Sequence, residues 1–357
     1  MQMEIIESID KRIGEVRTDS VDMSIGELVG LHSSRELIIQ PDFQRLFRWS
    51  DAQRSRLVES VLIQLPIPSI FVIENDDGRL ELVDGLQRVS SLIQFINNEA
   101  IELPLLTLEG CDLVPELNGT TFEDLPLTLK LKLKRSAIRT VIIKRQSNQF
   151  LRYEMFKRLN TGGSKLSDQD IRNVNARILG GADFYAFINK CAQYGAFRTT
   201  MELLSPVAIE ARGDEELVLR FFAVKNYRDK FKGSISDWLD TFMEDVLLGK
   251  QPFDMDAEWL AFTTLFDVLA DKFGPYAFVK YRNGLPIGSV APAYYEAVTC
   301  GSIQALANLQ GLPTADATAR LAATVESIDF RNVTGPGANS LPKMNERINL
   351  IGRAFSA

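Results

Sequence analysis

The chain has 357 residues, of which 45% are hydrophobic and 24% are charged, as in an ordinary soluble globular protein. This length is enough for about two domains. The chain contains one histidine, His32, which excludes His-rich metal sites and nucleases built on paired histidines. The three cysteines are widely spaced, which argues against a disulfide framework or a zinc ribbon.

No apolar run approaches the length of a membrane span, which is about 20 residues. Residues 1–12 mix acidic and basic side chains and lack the apolar core of a signal peptide. We therefore expect a cytoplasmic protein without a membrane partner.

The first elements predicted are a helix and a strand that lead into a polar segment. Ser24 can cap a helix that runs to Leu31, and residues 36–39 form an apolar strand. The segment 41–49 then combines planar donors, cations and an indole in Gln44, Arg45, Arg48 and Trp49. Arginine can bind phosphate with two parallel N–H groups, and tryptophan can pack on a base. The alternative interpretation is structural: an arginine stacks on Trp49 at the surface and closes the loop.

A second helix is predicted to begin at Ser50-Asp51 and to end at Pro66. Its apolar face comprises Leu57, Val58, Val61, Leu62 and Leu65. A strand over residues 69–74, a hairpin turn at 75–78 and a second strand follow. This order predicts a compact α/β unit with a small sheet.

Residues 80–95 are the central motif: an apolar strand, a turn at Asp84-Gly85, and a helix with apolar residues at helical spacing. Asp84, Gln87 and Arg88 lie where the strand gives way to the helix. Free backbone N–H groups and the positive end of the helix dipole collect there, which favours an anion such as phosphate. Gly85 would let a ligand approach the backbone closely. Taken alone, the motif favours an ordinary strand–turn–helix with a capping aspartate.

The segment from Lys130 to Arg158 holds ten Lys and Arg residues and one acid, although the whole chain carries a net charge of −7. It predicts either a local basic face for DNA or solvated charges that face different ways, and the sequence leaves both open. The candidate DNA-binding residues are Lys130, Lys132, Lys134, Arg135, Lys144 and Arg145.

Residues 125–134 fit a strand and a helix equally well, whereas residues 138–144 predict a strand. A helix over 148–159 is expected to end at Asn160-Thr-Gly-Gly163, and Ser167 with Asp170 caps the next helix. Polar residues gather around this Gly-Gly turn, which can hold an anion or serve as a plain helix joint; they are Arg158, Asn160, Lys165, Arg172 and Asn173.

After residue 175 the pattern predicts mainly helices, over 182–194, 214–227, 235–248 and 256–273. A last polar group either returns to the site or lies on the surface; it comprises Arg331, Asn339, Ser340, Lys343 and Arg347. We expect two domains, residues 1–175 and 176–357.

Three motifs in this order resemble one family: PDFQR…W at 41–49, VDGLQR at 83–88 and FKRLNTGG at 156–163. They look like the N-terminal domain of GmrSD-type modification-dependent restriction proteins, which is related to the ParB/sulfiredoxin fold. The resemblance covers roughly residues 20–180. It implies an α/β (α+β) ParB/sulfiredoxin-like domain with a small mixed sheet, followed by a mainly α-helical region.

The resemblance also implies anti-phage defence in which NTP hydrolysis regulates action on DNA. Carried over by residue, Asp84, Gln87 and Arg88 would be catalytic, with Mg²⁺ on Asp84. The implied nucleotide-binding residues are Gln44, Arg45, Gly85, Arg158 and Asn160.

Two departures from the family qualify this expectation. Leu86 stands where the usual motif has Gln, so one polar contact is lost or the position packs inward. A C-terminal His-Asn-His nuclease cannot be built from one histidine, so a separate nuclease or ATPase subunit is the expected partner. One alternative is a non-catalytic module that binds DNA or protein, and another is a metal-dependent DNA nuclease that uses Asp84. A homo-oligomer is compatible with each interpretation.

Overall fold

The computed structural model describes residues 17–39, 49–145, 147, 167–335 and 337–356. The chain divides into two units, residues 1–164 and 165–357. The domain boundary expected at residue 175 falls inside the helix Asp168–Ile178, which belongs to the second unit.

The first unit contains a mixed sheet of five strands in the order β1-β5-β3-β4-β2. The strands are β1 (Thr18–Ser24), β2 (Leu37–Ile38), β3 (Ile70–Glu74), β4 (Leu80–Asp84) and β5 (Ala137–Ile143). The pairs β1–β5 and β3–β4 are antiparallel, whereas β3–β5 and β2–β4 are parallel. The predicted α/β unit with a small mixed sheet is confirmed, and the ParB/sulfiredoxin relationship stays a prediction.

Four α-helices lie in the described part of this unit: α1 (Ile25–Ser33), α2 (Asp51–Leu62), α3 (Leu86–Ile96) and α4 (Leu127–Arg135). Short side chains fix where α1 and α2 begin. Ser24 Oγ accepts the N–H of Glu27 at 3.1 Å, and Ser50 forms a reciprocal capping box with Gln53. Such a cap stabilises a helix by about 1 kcal/mol.

The prediction that α2 continues to Pro66 is wrong, because the helix ends at Leu62. Gln64 adopts a left-handed conformation with φ 62°, and the N–H of Leu65 bonds back to the carbonyl of Ser60. The chain therefore leaves the helix direction before the proline. Leu65, expected on the apolar face, is 44% exposed.

The segment whose periodicity fitted both a strand and a helix is the helix α4. Leu133 is its buried residue, whereas Leu127 and Leu131 are exposed. The single histidine lies in the last turn of α1, where its ring nitrogens are 3.3 and 3.1 Å from the carbonyl oxygens of Leu37 and Ala100. These contacts give His32 a packing role.

The described part of the second unit is mainly helical, as predicted, with one small hairpin. Its helices are α5 (Asp168–Ile178), α6 (Ala182–Ala192), α7 (Gly195–Thr200), α8 (Pro206–Glu210), α9 (Gly213–Asn226), α10 (Ile235–Leu247), α11 (Met255–Phe273), α12 (Pro292–Gln304), α13 (Leu306–Gly311), α14 (Thr314–Glu326), α15 (Ile328–Thr334) and α16 (Leu341–Ser356). The hairpin pairs β6 (Lys280–Arg282) with β7 (Leu285–Ile287).

Aromatic side chains fill the core of this helical unit. Phe262 lies 4.4 Å from Phe266 between ring centroids, and Phe221 contacts both rings. Cys191 and Cys300 are free thiols in this unit, and Cys111 is a free thiol in the first unit. In the part of the chain that the structure describes, every helix is too short or too polar for a bilayer crossing.

Candidate functional site

The hairpin β3–β4 carries a bulge inside the central motif, one residue before Asp84. Phe71 pairs with Asp84 and Val72 pairs with Leu82, so Val83 is an extra residue on β4. Bulges bend a strand and redirect the side chains beside them. Asp84 is the last residue of β4, and the bulge therefore influences the direction of its side chain.

Gly85 forms the turn between β4 and α3, and only glycine fits there. Its φ is 100°, and a Cβ atom at this position would lie 2.4 Å from Cγ2 of the buried Ile70. Gly85 is also the N-cap of α3 and supplies no side-chain cap. The first turn of α3 therefore presents backbone N–H groups that no side chain among the described residues caps, at the positive end of the helix dipole.

Asp84 and Arg88 form an ion pair across this turn. Arg88 Nη2 donates to Asp84 Oδ2 at 2.9 Å and to the carbonyl oxygen of Ser69 at 3.1 Å. The side chains of Asp84 and Arg88 are 30% and 18% exposed, so the pair lies at the edge of the protein. Arg88 thereby connects the end of β4, the first turn of α3 and the residue before β3.

Gln87 is buried and contacts the end of the first motif. Its Oε1 accepts the backbone N–H of Trp49 at 3.2 Å. Further along the same side of α3, Gln94 accepts from Arg54 Nη1 at 3.3 Å and donates to the carbonyl of Pro104 at 2.9 Å. A polar strip of α3 therefore faces the first turn of α2 and Trp49, which lies two residues before that helix.

Sequence reasoning missed two groups that bond to side chains of α3. The carbonyl of Ser69 is a backbone group without a sequence signal. Arg54 is three residues after Asp51, which accepts from its Nη1 at 2.9 Å. Burial lowers the pKa of Arg54, and the charge of Asp51 opposes that shift. The spacing of Asp51 and Arg54 predicts a helical ion pair, but only the fold shows that it lies beside Gln94.

The carboxylate of Asp84 fits a magnesium ion only if the remaining ligands come from elsewhere. No group of three His, Cys, Asp or Glu residues that could hold a metal occurs among the described residues. Magnesium commonly binds one or two carboxylates together with substrate phosphates and waters. A Mg²⁺ ion at Asp84 would therefore need its other oxygen ligands from outside the described residues.

Residues 25–176 match the family described as GmrSD restriction endonuclease, N-terminal domain. This segment is similar to that N-terminal domain. No curated protein and no solved structure matches the chain. The family supports a restriction-type role in defence and an interaction with DNA. The matched segment includes the β4–α3 junction and ends within α5.

Several predicted site residues of the matched segment lie outside the described residues. They are Gln44, Arg45, Arg48, Arg158, Asn160 and Lys165. The helix expected over residues 148–159 and the Gly-Gly turn lie outside them as well. The cap that follows is confirmed, because Ser167 Oγ accepts the N–H of Asp170 at 3.1 Å and Asp170 Oδ2 accepts the N–H of Ser167 at 3.0 Å.

Arg172 and Asn173, expected beside the Gly-Gly turn, bind acidic residues of the helical unit. Arg172 Nε donates to Asp240 at 2.8 Å, and its Nη1 donates to Glu216 at 3.0 Å. Asn173 donates to Glu215. The Arg172 side chain is 1% exposed, so it anchors α5 inside the helical unit.

Arg347, one of the residues expected at the site or on the surface, is buried in the core of the helical unit. It pairs with Glu296 and donates to the carbonyl oxygens of Val333 and Ala338. Arg220 approaches the other oxygen of Glu296 at 3.5 Å. The alternative that places Arg347 on the surface is wrong, because the buried carboxylate of Glu296, the Val333 carbonyl near the end of α15 and the Ala338 carbonyl in the following loop hold it inside.

The four candidate DNA-binding residues on α4 differ in the partners that they contact. Lys130 bonds to Glu123 at 2.7 Å, and the Lys134 ammonium lies 5.3 Å from the ring centre of Phe122. Lys132 and Arg135 are exposed and form no ion pair with a described residue. They are three positions apart and thus share one face of the helix.

The other two candidates follow β5 and are held by acidic neighbours. Lys144 bonds to Asp19 at 3.0 Å, and this bond raises the pKa of Lys144. The Arg145 backbone N–H donates to Glu74 at 3.5 Å, and its guanidinium donates to the carbonyl of Asp76 at 3.4 Å. Of these two cations, Lys144 is therefore neutralised by a carboxylate from a distant part of the sequence, whereas the Arg145 guanidinium bonds to a backbone oxygen.

Proposed function

We propose that the GmrSD N-terminal domain binds a nucleoside triphosphate at the β4–α3 junction and hydrolyses it to regulate action on DNA. The observation that supports this proposal most directly is that Asp84 lies beside the first turn of α3, whose N-cap residue Gly85 has no capping side chain. A helix N-terminus of this kind attracts phosphate oxygens, and a fixed carboxylate beside it is the group that hydrolysis needs.

The chemistry depends mainly on position and charge, because phosphoryl transfer requires little covalent assistance from the protein. Asp84 would orient the attacking water or hold Mg²⁺, which supplies charge neutralisation at the phosphates. Backbone N–H groups of α3 would receive phosphate oxygens. The predicted contributions of Gln44, Arg45, Arg158 and Asn160 belong to this proposal and rest on the family motifs.

The position of Trp49 supports the proposed contribution of the first motif. Its backbone N–H bonds to Gln87, one residue before Arg88, and Arg45 precedes Trp49 by four positions in the sequence. The first and second motifs therefore meet at the junction at least through Trp49.

Contact with DNA is assigned to the exposed face of α4. Lys132 and Arg135 project from it without acidic partners among the described residues. Phosphate contacts made by such cations bind DNA with little sequence preference and weaken as salt rises. The nuclease is then supplied by a separate subunit, which receives the nucleotide-dependent signal.

The first test measures binding and phosphate release with each of the four NTPs and Mg²⁺, with and without DNA. We expect at least one NTP to bind and to be hydrolysed, at a rate that DNA changes. The absence of both binding and hydrolysis for all four NTPs would refute the proposal.

A non-catalytic binding module is the second candidate. The isolated carboxylate of Asp84 and the apolar Leu86 favour it, because both reduce the number of groups that can act on a nucleotide. In that case the domain would bind DNA or a partner without turnover. The nuclease interpretation has no support among the described residues, which lack a group of three metal ligands.

A further inference from the structure

The guanidinium of Arg88 is already committed to protein acceptors. Nη2 donates to Asp84 Oδ2 and to the Ser69 carbonyl oxygen, at 2.9 and 3.1 Å. Nε is buried and makes no hydrogen bond among the described residues. Nη1 is the remaining nitrogen.

This arrangement prevents the usual grip of arginine on phosphate. A guanidinium binds phosphate with two parallel N–H groups, and both such edges of the group include Nη2. Because Nη2 serves two acceptors and Nε is enclosed, neither edge can receive a phosphate in this conformation. Arg88 is thus poorly placed as a phosphate ligand, although it lies beside the proposed phosphate site.

The same contacts suit a different task. Asp84 ends β4, Ser69 directly precedes β3, and Arg88 lies in the first turn of α3. One nitrogen of Arg88 therefore holds the Asp84 carboxylate against two strands and fixes its Oδ2. Oδ1 makes no hydrogen bond with a described residue, so it is the oxygen left for a water or a ligand.

Gly85 makes this geometry possible. A Cβ atom on residue 85 would lie 3.3 Å from Arg88 Nη2, in addition to its clash with Ile70. The glycine therefore leaves room both for the tight turn and for the arginine that folds back over it.

We propose that Arg88 is a positioning residue, which orients Asp84 for hydrolysis and does not itself bind the phosphates. This inference rests on the proposed function of the junction. It predicts that the loss of Arg88 lowers the catalytic rate and leaves the affinity for nucleotide nearly unchanged, since misplacement of a catalytic group costs on the order of 100-fold in rate.

The experiment compares Arg88→Met and Arg88→Lys with wild type by calorimetry for nucleotide binding and by phosphate release for kcat. Arg79→Met is the matched control, because Arg79 pairs with Asp77 at the opposite end of the same hairpin and is 51% exposed. We expect Arg88→Met to keep its Kd within about threefold of wild type and to lose about 100-fold in kcat. The kcat of Arg88→Lys should lie between those of wild type and Arg88→Met, because an ammonium can bond to Asp84 without also reaching Ser69.

The outcomes separate the two claims. A Kd that rises more than about tenfold in Arg88→Met would overturn the positioning role. If that variant does not fold, the same rise in Arg88→Lys would overturn it. A wild-type protein that binds no nucleotide would instead overturn the proposed function, and this inference with it.

Discussion

Replacement of Gly85 by alanine should destabilise the first unit more than any ordinary turn substitution. A residue with a side chain at φ 100° costs about 1–2 kcal/mol in the backbone alone. The new methyl group would also lie 2.4 Å from Ile70 Cγ2, and Ile70 is fully buried. Forced overpacking of a core costs about 1–3 kcal/mol. We therefore expect Gly85→Ala to lower the free energy of unfolding by about 2–5 kcal/mol.

Gly78→Ala is the matched control. Gly78 lies in the turn of the same hairpin with φ 83°, but a Cβ atom there meets no other atom within 4 Å. This variant should lose only the backbone part, about 1–2 kcal/mol. The difference between the two variants isolates the contact between residue 85 and Ile70.

The assay is native-state hydrogen exchange of the β3, β4 and α3 amides, because a global denaturation curve would mix the two units. Each 1.4 kcal/mol corresponds to about a tenfold change in exchange rate. Gly85→Ala should therefore speed exchange by about 30-fold to several thousand-fold. Equal effects of Gly85→Ala and Gly78→Ala would refute the steric argument.

Three further predictions concern the rest of the molecule. Arg172→Met should destabilise the helical unit by about 3–5 kcal/mol, because it removes the buried guanidinium that pairs with Asp240 and Glu216, whereas Arg198→Met at an exposed position should cost little. Native-state hydrogen exchange of the α5, α9 and α10 amides measures this. Lys132→Ala and Arg135→Ala should each reduce the slope of log K against log salt for DNA binding by about 0.9, and an unchanged slope would exclude α4 from the DNA face. Burial raises the pKa of Cys191 to about 12. The unfolded thiol ionises near pH 8.5, so between about pH 9 and 12 the unfolded state binds fewer protons and stability falls as pH rises. Cys191→Ala should reduce this loss of stability at high pH. A pH dependence of stability that is unchanged in the variant would contradict the raised pKa of Cys191.

Local patterns in the sequence predicted the elements that carry the site. The spacing of Val89, Leu92 and Ile93 predicts α3, and all three are buried. The sequence did not decide between a strand and a helix over residues 125–134, because alternating Leu and Lys fits the periodicity of both. The fold forms the helix α4 there, with Leu133 buried. The end of α2 was placed too late because Gln64, which leaves the helix with a positive φ, carries no breaker signal.

The contacts that define the junction are long-range and could not be read from the sequence. Gln87 bonds to Trp49 across 38 positions, and Arg88 bonds to the Ser69 carbonyl across 19. The sequence alone could not show whether Arg172 belongs to the site or has a structural role, because its acidic partners Glu216 and Asp240 lie 44 and 68 positions away. Residue types indicate which groups can act, but only the pairing of elements shows which are already satisfied.

Phosphate release by Asp84→Asn is the measurement that tests the central claim most directly. Asparagine keeps the shape of the side chain and an oxygen for Arg88, but it removes the charge. Asp77→Asn, in the exposed turn of the same hairpin, is the control. We expect wild type and Asp77→Asn to hydrolyse the preferred NTP equally and Asp84→Asn to lose turnover while it stays folded. Full activity in Asp84→Asn would contradict the assignment of the β4–α3 junction as the nucleotide site.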